Sequence, residues 1–158
     1  LVMKKARLGA FILLFSAGPP MLLEGMEMGR SKSKQSQDLL SNQVHWDVSA
    51  ESASLFQLYK QYIQLRKNLA VFRPESEYPE EELIFDDSFP EGVVGIYYKN
   101  GYGILINNTG KSETLTLKND YYFIIADEKG TYEDSPLPMN QTDLIELPPY
   151  SCRLLKAE

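Results

Sequence analysis

The apolar residues of this chain recur at helical spacing in its first half and at alternate positions in its second half. The clearest helical pattern runs over Ala53–Leu69, where large side chains return every three or four residues. Ser49 or Ser52 is placed to cap the start of this helix, because a serine oxygen can accept from its free backbone N–H groups. Arg66 and Lys67 stand near its end, where positive charge suits the helix dipole. The expected apolar face consists of Leu55, Leu58, Tyr59, Tyr62, Ile63, Leu65 and Leu69.

Residues 1–17 combine a basic start with a short apolar run. We expect a buried amphipathic helix over Met3–Phe15 that ends at Gly18 and the two prolines after it, since proline cannot continue a helix. The apolar run is too short to span a membrane. The pattern also resembles a signal peptide, so cleavage after Ala17 is an open alternative. Beyond the prolines, Met21–Glu24 is an apolar run that predicts a strand buried on both faces.

The pattern changes after an acidic stretch, 74–82, which we interpret as a linker between two domains. Apolar and polar residues then alternate over about seven short segments separated by turn residues, which predicts a small antiparallel β-sandwich. Asn100 and Gly101 between two segments predict a type I′ hairpin turn. The predicted strands are Leu83–Asp86, Val93–Lys99, Tyr102–Asn107, Glu113–Leu117, Tyr121–Ala126, Leu144–Leu147 and Ser151–Lys156.

Composition excludes several classes of function. The net charge of −6 argues against nucleic acid as the main partner. The single cysteine, Cys152, and the single histidine, His45, exclude a disulfide framework or a multi-Cys zinc site within the chain. Cys152 is expected to be a half-buried, small apolar side chain. No glycine-rich phosphate loop or metal-ligand cluster occurs, so we predict no cofactor and no metal. The lack of disulfides favours a cytoplasmic location and leaves export open.

Four short segments, taken in order, resemble the C-terminal part of the α-amylase superfamily of glycoside hydrolases. They are Gly18–Leu22, similar to the turn and eighth strand of the barrel; Gly25–Glu27, similar to a Gly-x-Glu motif; Tyr62–Lys67, similar to the final helix; and Leu147–Ser151, similar to the turn before the last sandwich strand. The loop Met26–Ser33 most resembles that of pullulanase-type debranching enzymes. In this chain 34–38 replaces the Asn-Ser-Tyr segment usual in those enzymes.

The resemblance implies an α+β fold in which 1–73 is the end of a (β/α)8 barrel, 74–82 a linker and 83–158 an antiparallel β-sandwich domain. It implies part of a retaining hydrolase of α-1,6 or α-1,4 glucosidic bonds, in which one carboxylate attacks and a second carboxylic acid protonates the leaving oxygen. The family carries these groups at the ends of earlier barrel strands. We therefore assign no catalytic residue and expect this chain to be inactive alone. The expected partners are an α-glucan and the rest of the barrel, without nucleic acid or membrane.

Four residues, Glu27, Arg30, Lys32 and Trp46, are candidates for the substrate-facing rim of such a barrel. Arg30 and Lys32 suit contacts with sugar hydroxyls, and Trp46 suits either stacking on glucose or packing against the following helix. Glu24 and Glu27 lie three residues apart and form a conceivable acid/base pair. We favour the simpler interpretation, in which Glu27 orders the rim through hydrogen bonds.

The alternative function is a non-catalytic, secreted β-sandwich module that binds carbohydrate, with residues 1–17 as its signal peptide. Tyrosines are the candidates for its sugar-binding face. Because neighbouring residues in a strand point to opposite faces, at most half of them share one surface. These tyrosines are Tyr97, Tyr98, Tyr102, Tyr121 and Tyr122.

Overall fold

The computed structural model describes residues 1–30, 43, 49–73, 83–117, 122–139 and 144–157. In these ranges the chain forms two helices, α1 (Val2–Phe15) and α2 (Ala50–Asn68). Two single-turn 3₁₀ helices cover Met26–Met28 and Ala70–Phe72. The strands that follow are β1 (Leu83–Asp86), β2 (Val93–Tyr98), β3 (Tyr102–Asn107), β4 (Glu113–Thr116), β5 (Tyr122–Asp127), β6 (Gly130–Thr131), β7 (Leu137–Pro138), β8 (Leu144–Leu147) and β9 (Ser151–Ala157).

Both predicted helices are present, with small shifts at their ends. The start of α2 is set by Ser49, whose side chain accepts a hydrogen bond from the Ser52 backbone N–H at 3.2 Å. The apolar face of α1 is packed into the core, as the buried-helix interpretation of residues 1–17 predicts. The buried residues of α1 are Leu8, Ala10, Phe11, Leu14 and Phe15.

The strands form two antiparallel sheets, and the predicted α+β class is confirmed. The larger sheet has the order β1-β2-β3-β9-β5-β6, with β7 also paired to β5. The smaller sheet consists of β4 and β8. The alternating apolar residues located the longer strands to within one residue at their ends. The sequence pattern did not predict β6 and β7, because two-residue strands are too short to show any alternation.

The larger sheet is packed on both faces. On β2, Tyr98 contributes to a cluster with α1 and α2, whereas Tyr97 contributes to a cluster with the β4–β8 sheet. On β9, Leu154 and Leu155 divide in the same way. This follows from the two-residue period of a strand, and it shows that both described tyrosines of β2 serve as core residues.

The helices and the larger sheet share one core. Phe15 lies at its centre, with ring centroids 4.9 Å from Phe11, 5.1 Å from Tyr62 and 5.2 Å from Phe72. The Tyr98 hydroxyl donates to the Phe15 carbonyl at 3.2 Å, which ties α1 to β2. The predicted linker 74–82 lies outside the described residues, so the division into two domains stays a prediction.

Three local predictions are corrected by the structure. The β2–β3 turn is not type I′, since Tyr98 pairs with Tyr102 and leaves a three-residue turn. Only Gly101 in this turn has positive φ, at 86°, which is the geometry of a type I turn followed by a left-handed glycine. Cys152 is fully buried rather than half-buried, and burial raises the pKa of its thiol.

The third correction concerns Met21–Glu24, the predicted buried strand. This segment forms no strand, and Met21, Leu22 and Leu23 are 85%, 40% and 63% exposed. A buried barrel strand needs paired strands at its two edges and packed layers on its two faces. None of the described segments pairs with these residues.

Candidate functional site

The described part of the predicted rim is a tight turn at residues 24–30. Its two glycines, Gly25 and Gly29, have φ values of 88° and 72° and enclose the 3₁₀ helix Met26–Met28. The Gly25 carbonyl accepts from the backbone N–H groups of Met28 at 3.1 Å and Arg30 at 3.0 Å. Left-handed backbone favours glycine, so the Gly-x-Glu-x-Gly spacing dictates this turn.

Gly25 also makes room for the side chain of Arg30. A Cβ placed on Gly25 would lie 2.7 Å from Arg30 Cδ, closer than any normal contact. Arg30 is half-buried, and its Nη1 donates to the Glu24 carbonyl at 3.3 Å. The arginine is therefore folded back over the turn that carries it.

Glu27 binds the backbone of its own turn. Its Oε2 accepts from the Gly25 N–H at 3.0 Å. This contact agrees with an ordering role for Glu27. The acid/base pairing of Glu24 and Glu27 stays a prediction. Glu27 also lies near Tyr59, whose pKa is raised chiefly by burial and further by this negative charge.

The turn is anchored on the two helices. A Cβ on Gly29 would lie 3.5 Å from Leu55 Cδ2 on α2 and 3.8 Å from Met3 Sδ on α1. Gly29 therefore lies close to side chains of both helices. The turn therefore occupies a defined position in the fold even though the apolar residues just before it are exposed.

Arg66 binds the backbone at residues 14–18, just before the exposed residues 21–23. It is 7% exposed, and its guanidinium donates to the carbonyls of Leu14 at 2.5 Å, Ser16 at 2.9 Å and Phe72 at 2.8 Å, and also to the carbonyl of Gly18. Burial lowers the pKa of Arg66. The sequence analysis placed this charge at the end of its own helix. It instead binds the C-terminal end of α1 and the residues after it.

The other predicted rim residues, Lys32 and Trp46, lie outside the described residues, as does His45. Within the part that is described, no group of three or more His, Cys, Asp or Glu side chains is arranged to hold a metal. No described helix is long and apolar enough to cross a membrane. The geometry of the described turn can position and shape a site, and it holds no nucleophile with an activating base.

The fold of this chain is shared with glycoside hydrolases of the α-amylase family, to judge from solved structures. An α-amylase from Anoxybacillus matches 98% of the chain with a TM-score of 0.66 and 17% identity, over 33% of its own length. No protein-family model and no curated protein sequence matches.

Among the solved structures, pullulanases resemble the chain in fold over essentially its whole length, which confirms the resemblance drawn from the sequence motifs. The pullulanase from Bacillus acidopullulyticus matches 98% of the chain with a TM-score of 0.82 and 23% identity, over 20% of its length. The pullulanase from Anoxybacillus sp. LM18-11, solved with maltotetraose, matches 99% with a TM-score of 0.77 and 22% identity, over 23% of its length. The chain thus spans about a quarter or less of these pullulanases.

Proposed function

We propose that this chain is the C-terminal portion of an α-glucan-hydrolysing enzyme of the pullulanase-like debranching type. In this proposal, residues 1–73 complete a (β/α)8 barrel and residues 83–158 form its terminal β-sandwich. The catalytic carboxylates belong to barrel strands that precede this chain. The preferred bond is α-1,6, with α-1,4 as the second choice.

The observation that carries the proposal is the extent of the fold match. Pullulanases match 98–99% of this chain at TM-scores of 0.75–0.82, with 20–24% of their own length. A unit with an unrelated role would not be expected to keep the helix, turn, helix and sheet order of these enzymes over its whole length.

The exposed residues Met21, Leu22 and Leu23 give independent support. Three consecutive large apolar side chains at 85%, 40% and 63% exposure are costly in water. They lie in an extended segment between α1 and the rim turn, where the eighth strand of a barrel would run. Neighbouring barrel strands would pair its backbone at both edges, while the packed barrel interior and the outer helices would cover its two faces.

The rim turn then contributes shape rather than chemistry. Gly25 and Glu27 fix the turn through backbone hydrogen bonds, and Arg30 stands at its end. We keep Glu27, Arg30, Lys32 and Trp46 as the residues proposed to border the substrate. In the longer polypeptide that includes the rest of the barrel, Arg30→Ala and Trp46→Ala should each raise KM for the α-glucan more than they lower kcat. This is the effect expected of side chains that bind sugar without touching the reacting atoms.

The test is hydrolysis of pullulan and of amylose by two proteins. One is this 158-residue chain, and the other is the longer polypeptide encoded when the reading frame upstream of Leu1 is included. We expect the chain alone to be inactive and the longer polypeptide to release maltotriose from pullulan. Release of sugar by the chain alone, or a longer polypeptide with no action on either glucan, would overturn the proposal.

A further inference from the structure

A polar groove lies between α2 and the turn after β6, on a different part of α2 from the rim turn. One wall is formed by α2 and the other by residues 131–135, and the groove encloses about 540 Å³. This volume is in the range of small-molecule binding sites. The helix contributes Gln57, Lys60, Gln61 and Gln64.

The groove is rich in neutral hydrogen-bonding groups. Three side-chain amides come from α2, and Thr131 and Ser135 add two hydroxyls. The charged residues are one lysine, Lys60, and two acids, Glu133 and Asp134, so no single sign dominates. Groups that both donate and accept suit the hydroxyls of a neutral sugar better than they suit an ionic ligand.

The walls of the groove are held in place. The Tyr132 hydroxyl donates to Asp127 Oδ1 at 3.0 Å, and its backbone N–H donates to the Ile125 carbonyl at 2.8 Å. Asn68 Nδ2 donates to Glu133 Oε2 at 2.9 Å and thereby joins α2 to the opposite wall. Pre-formed walls reduce the entropy lost on binding.

Gly130 allows the two walls to approach closely. A Cβ at this position would lie 3.1 Å from Gln61 Oε1, a tight contact. The glycine therefore permits β6 to lie directly against the amide of Gln61. On the same wall as Gly130, Tyr132 is half-buried and is the aromatic residue among the polar groups that line the groove. Pyranose rings combine apolar C–H faces with a polar edge and match such a mixed lining.

We propose that this groove binds a neutral oligosaccharide, with Tyr132 contacting a sugar ring and Gln57, Gln61 and Gln64 binding its hydroxyls. The choice of an α-glucan as the oligosaccharide rests on the proposed function. The groove would hold a glucan chain away from the rim turn, because that turn lies near Leu55 and Tyr59, which are different residues of α2 from those that line the groove.

The experiment is an NMR titration of the ¹⁵N-labelled 158-residue chain with maltotetraose. We expect saturable shifts in the side-chain amide signals of Gln57, Gln61 and Gln64. Tyr132→Ala should weaken binding roughly tenfold, whereas Tyr132→Phe, which keeps the ring, should bind nearly as the parent chain does. Lys99→Ala, in the exposed β2–β3 turn, is the matched control and should leave the titration unchanged.

A second variant protects the test against a folding defect in Tyr132→Ala. Replacing Gln57, Gln61 and Gln64 together by alanine changes only exposed helix positions, and it should abolish the maltotetraose shifts while the fold is kept. Shifts that persist in this variant, or no shifts in the parent chain, would overturn the proposed groove. An equal response to cellotetraose would overturn its assignment to an α-glucan. None of these results bears on pullulan hydrolysis by the longer polypeptide, so the two proposals fail separately.

Discussion

The two helices bury their large apolar side chains, whereas the segment at 21–23 between them exposes its own. α1 and α2 bury Phe11, Phe15 and Tyr62 completely against the larger sheet. The connecting segment leaves Met21, Leu22 and Leu23 exposed, although it is held by Arg66 on one side and by the rim turn on the other. The difference teaches that the two helices bury their large side chains within this chain, whereas the segment at 21–23 exposes its own, as the proposed absence of neighbouring barrel strands would require.

The largest effect should come from the centre of the core that the two helices share with the larger sheet. Phe15→Ala removes a ring that contacts three other aromatic rings, and it should lower the free energy of unfolding by about 3–5 kcal/mol. Phe56→Ala, at a phenylalanine on α2 that is 40% exposed, is the control and should cost below about 1 kcal/mol. Urea unfolding measures both. Equal losses would mean that α1 does not share the core described here.

The next effect concerns Arg66. Arg66→Met keeps much of the side-chain volume but leaves four carbonyls without this donor, and we expect a loss of about 2–3 kcal/mol in urea unfolding. Arg66→Lys should lose less, because an ammonium group can still bind some of these carbonyls. Lys67→Met, at the exposed next residue, should change stability by less than about 0.5 kcal/mol. Similar losses in the two methionine variants would contradict the buried arrangement of Arg66.

A smaller effect is expected at the rim turn. Gly25→Ala places a Cβ at φ 88° and 2.7 Å from Arg30 Cδ, which should cost about 1–2 kcal/mol. Gly9→Ala is the matched control within α1, where nothing lies within 4 Å of the new Cβ. That variant should stabilise the chain by about 0.5–1 kcal/mol, because glycine is a poor helix former. Thermal unfolding that gives both variants the same sign would argue against the left-handed conformation of Gly25.

The smallest effect should follow from changes in the exposed segment. Met21→Ser and Leu23→Ser together should leave the stability of this chain within about 0.5 kcal/mol per residue, since these two side chains are mostly exposed. The same double variant should destabilise the longer polypeptide and abolish its action on pullulan, because the serines would then lie inside the barrel. A large loss of stability in the short chain would show that the segment is already packed here.

Sequence patterns captured the parts of the fold that depend on local spacing. The helical period located α1 and α2, and the alternation located β1, β3 and β8 at their exact ends. The β2–β3 turn was assigned the wrong type, because its length is set by the pairing of Tyr98 with Tyr102 rather than by Asn100 and Gly101.

The candidate site was less accessible to sequence analysis. The glycines of the rim turn and the role of Glu27 follow from near neighbours in sequence. The role of Arg66 does not, since Leu14 lies 52 residues away and only tertiary packing brings the two together. The sequence offered one hint of this role: Arg66 directly follows Leu65, a residue of the predicted apolar face, and both side chains are buried. Contact with substrate remains a prediction for all four rim candidates, Glu27, Arg30, Lys32 and Trp46.

The most direct test of the account is hydrogen exchange at the backbone amides of Leu22 and Leu23. In this chain neither amide takes part in a strand, so both should exchange rapidly. In the longer polypeptide the account predicts strong protection, because neighbouring barrel strands would pair with this segment. Rapid exchange of both amides in both proteins would contradict the claim that this segment forms a barrel strand in the longer polypeptide.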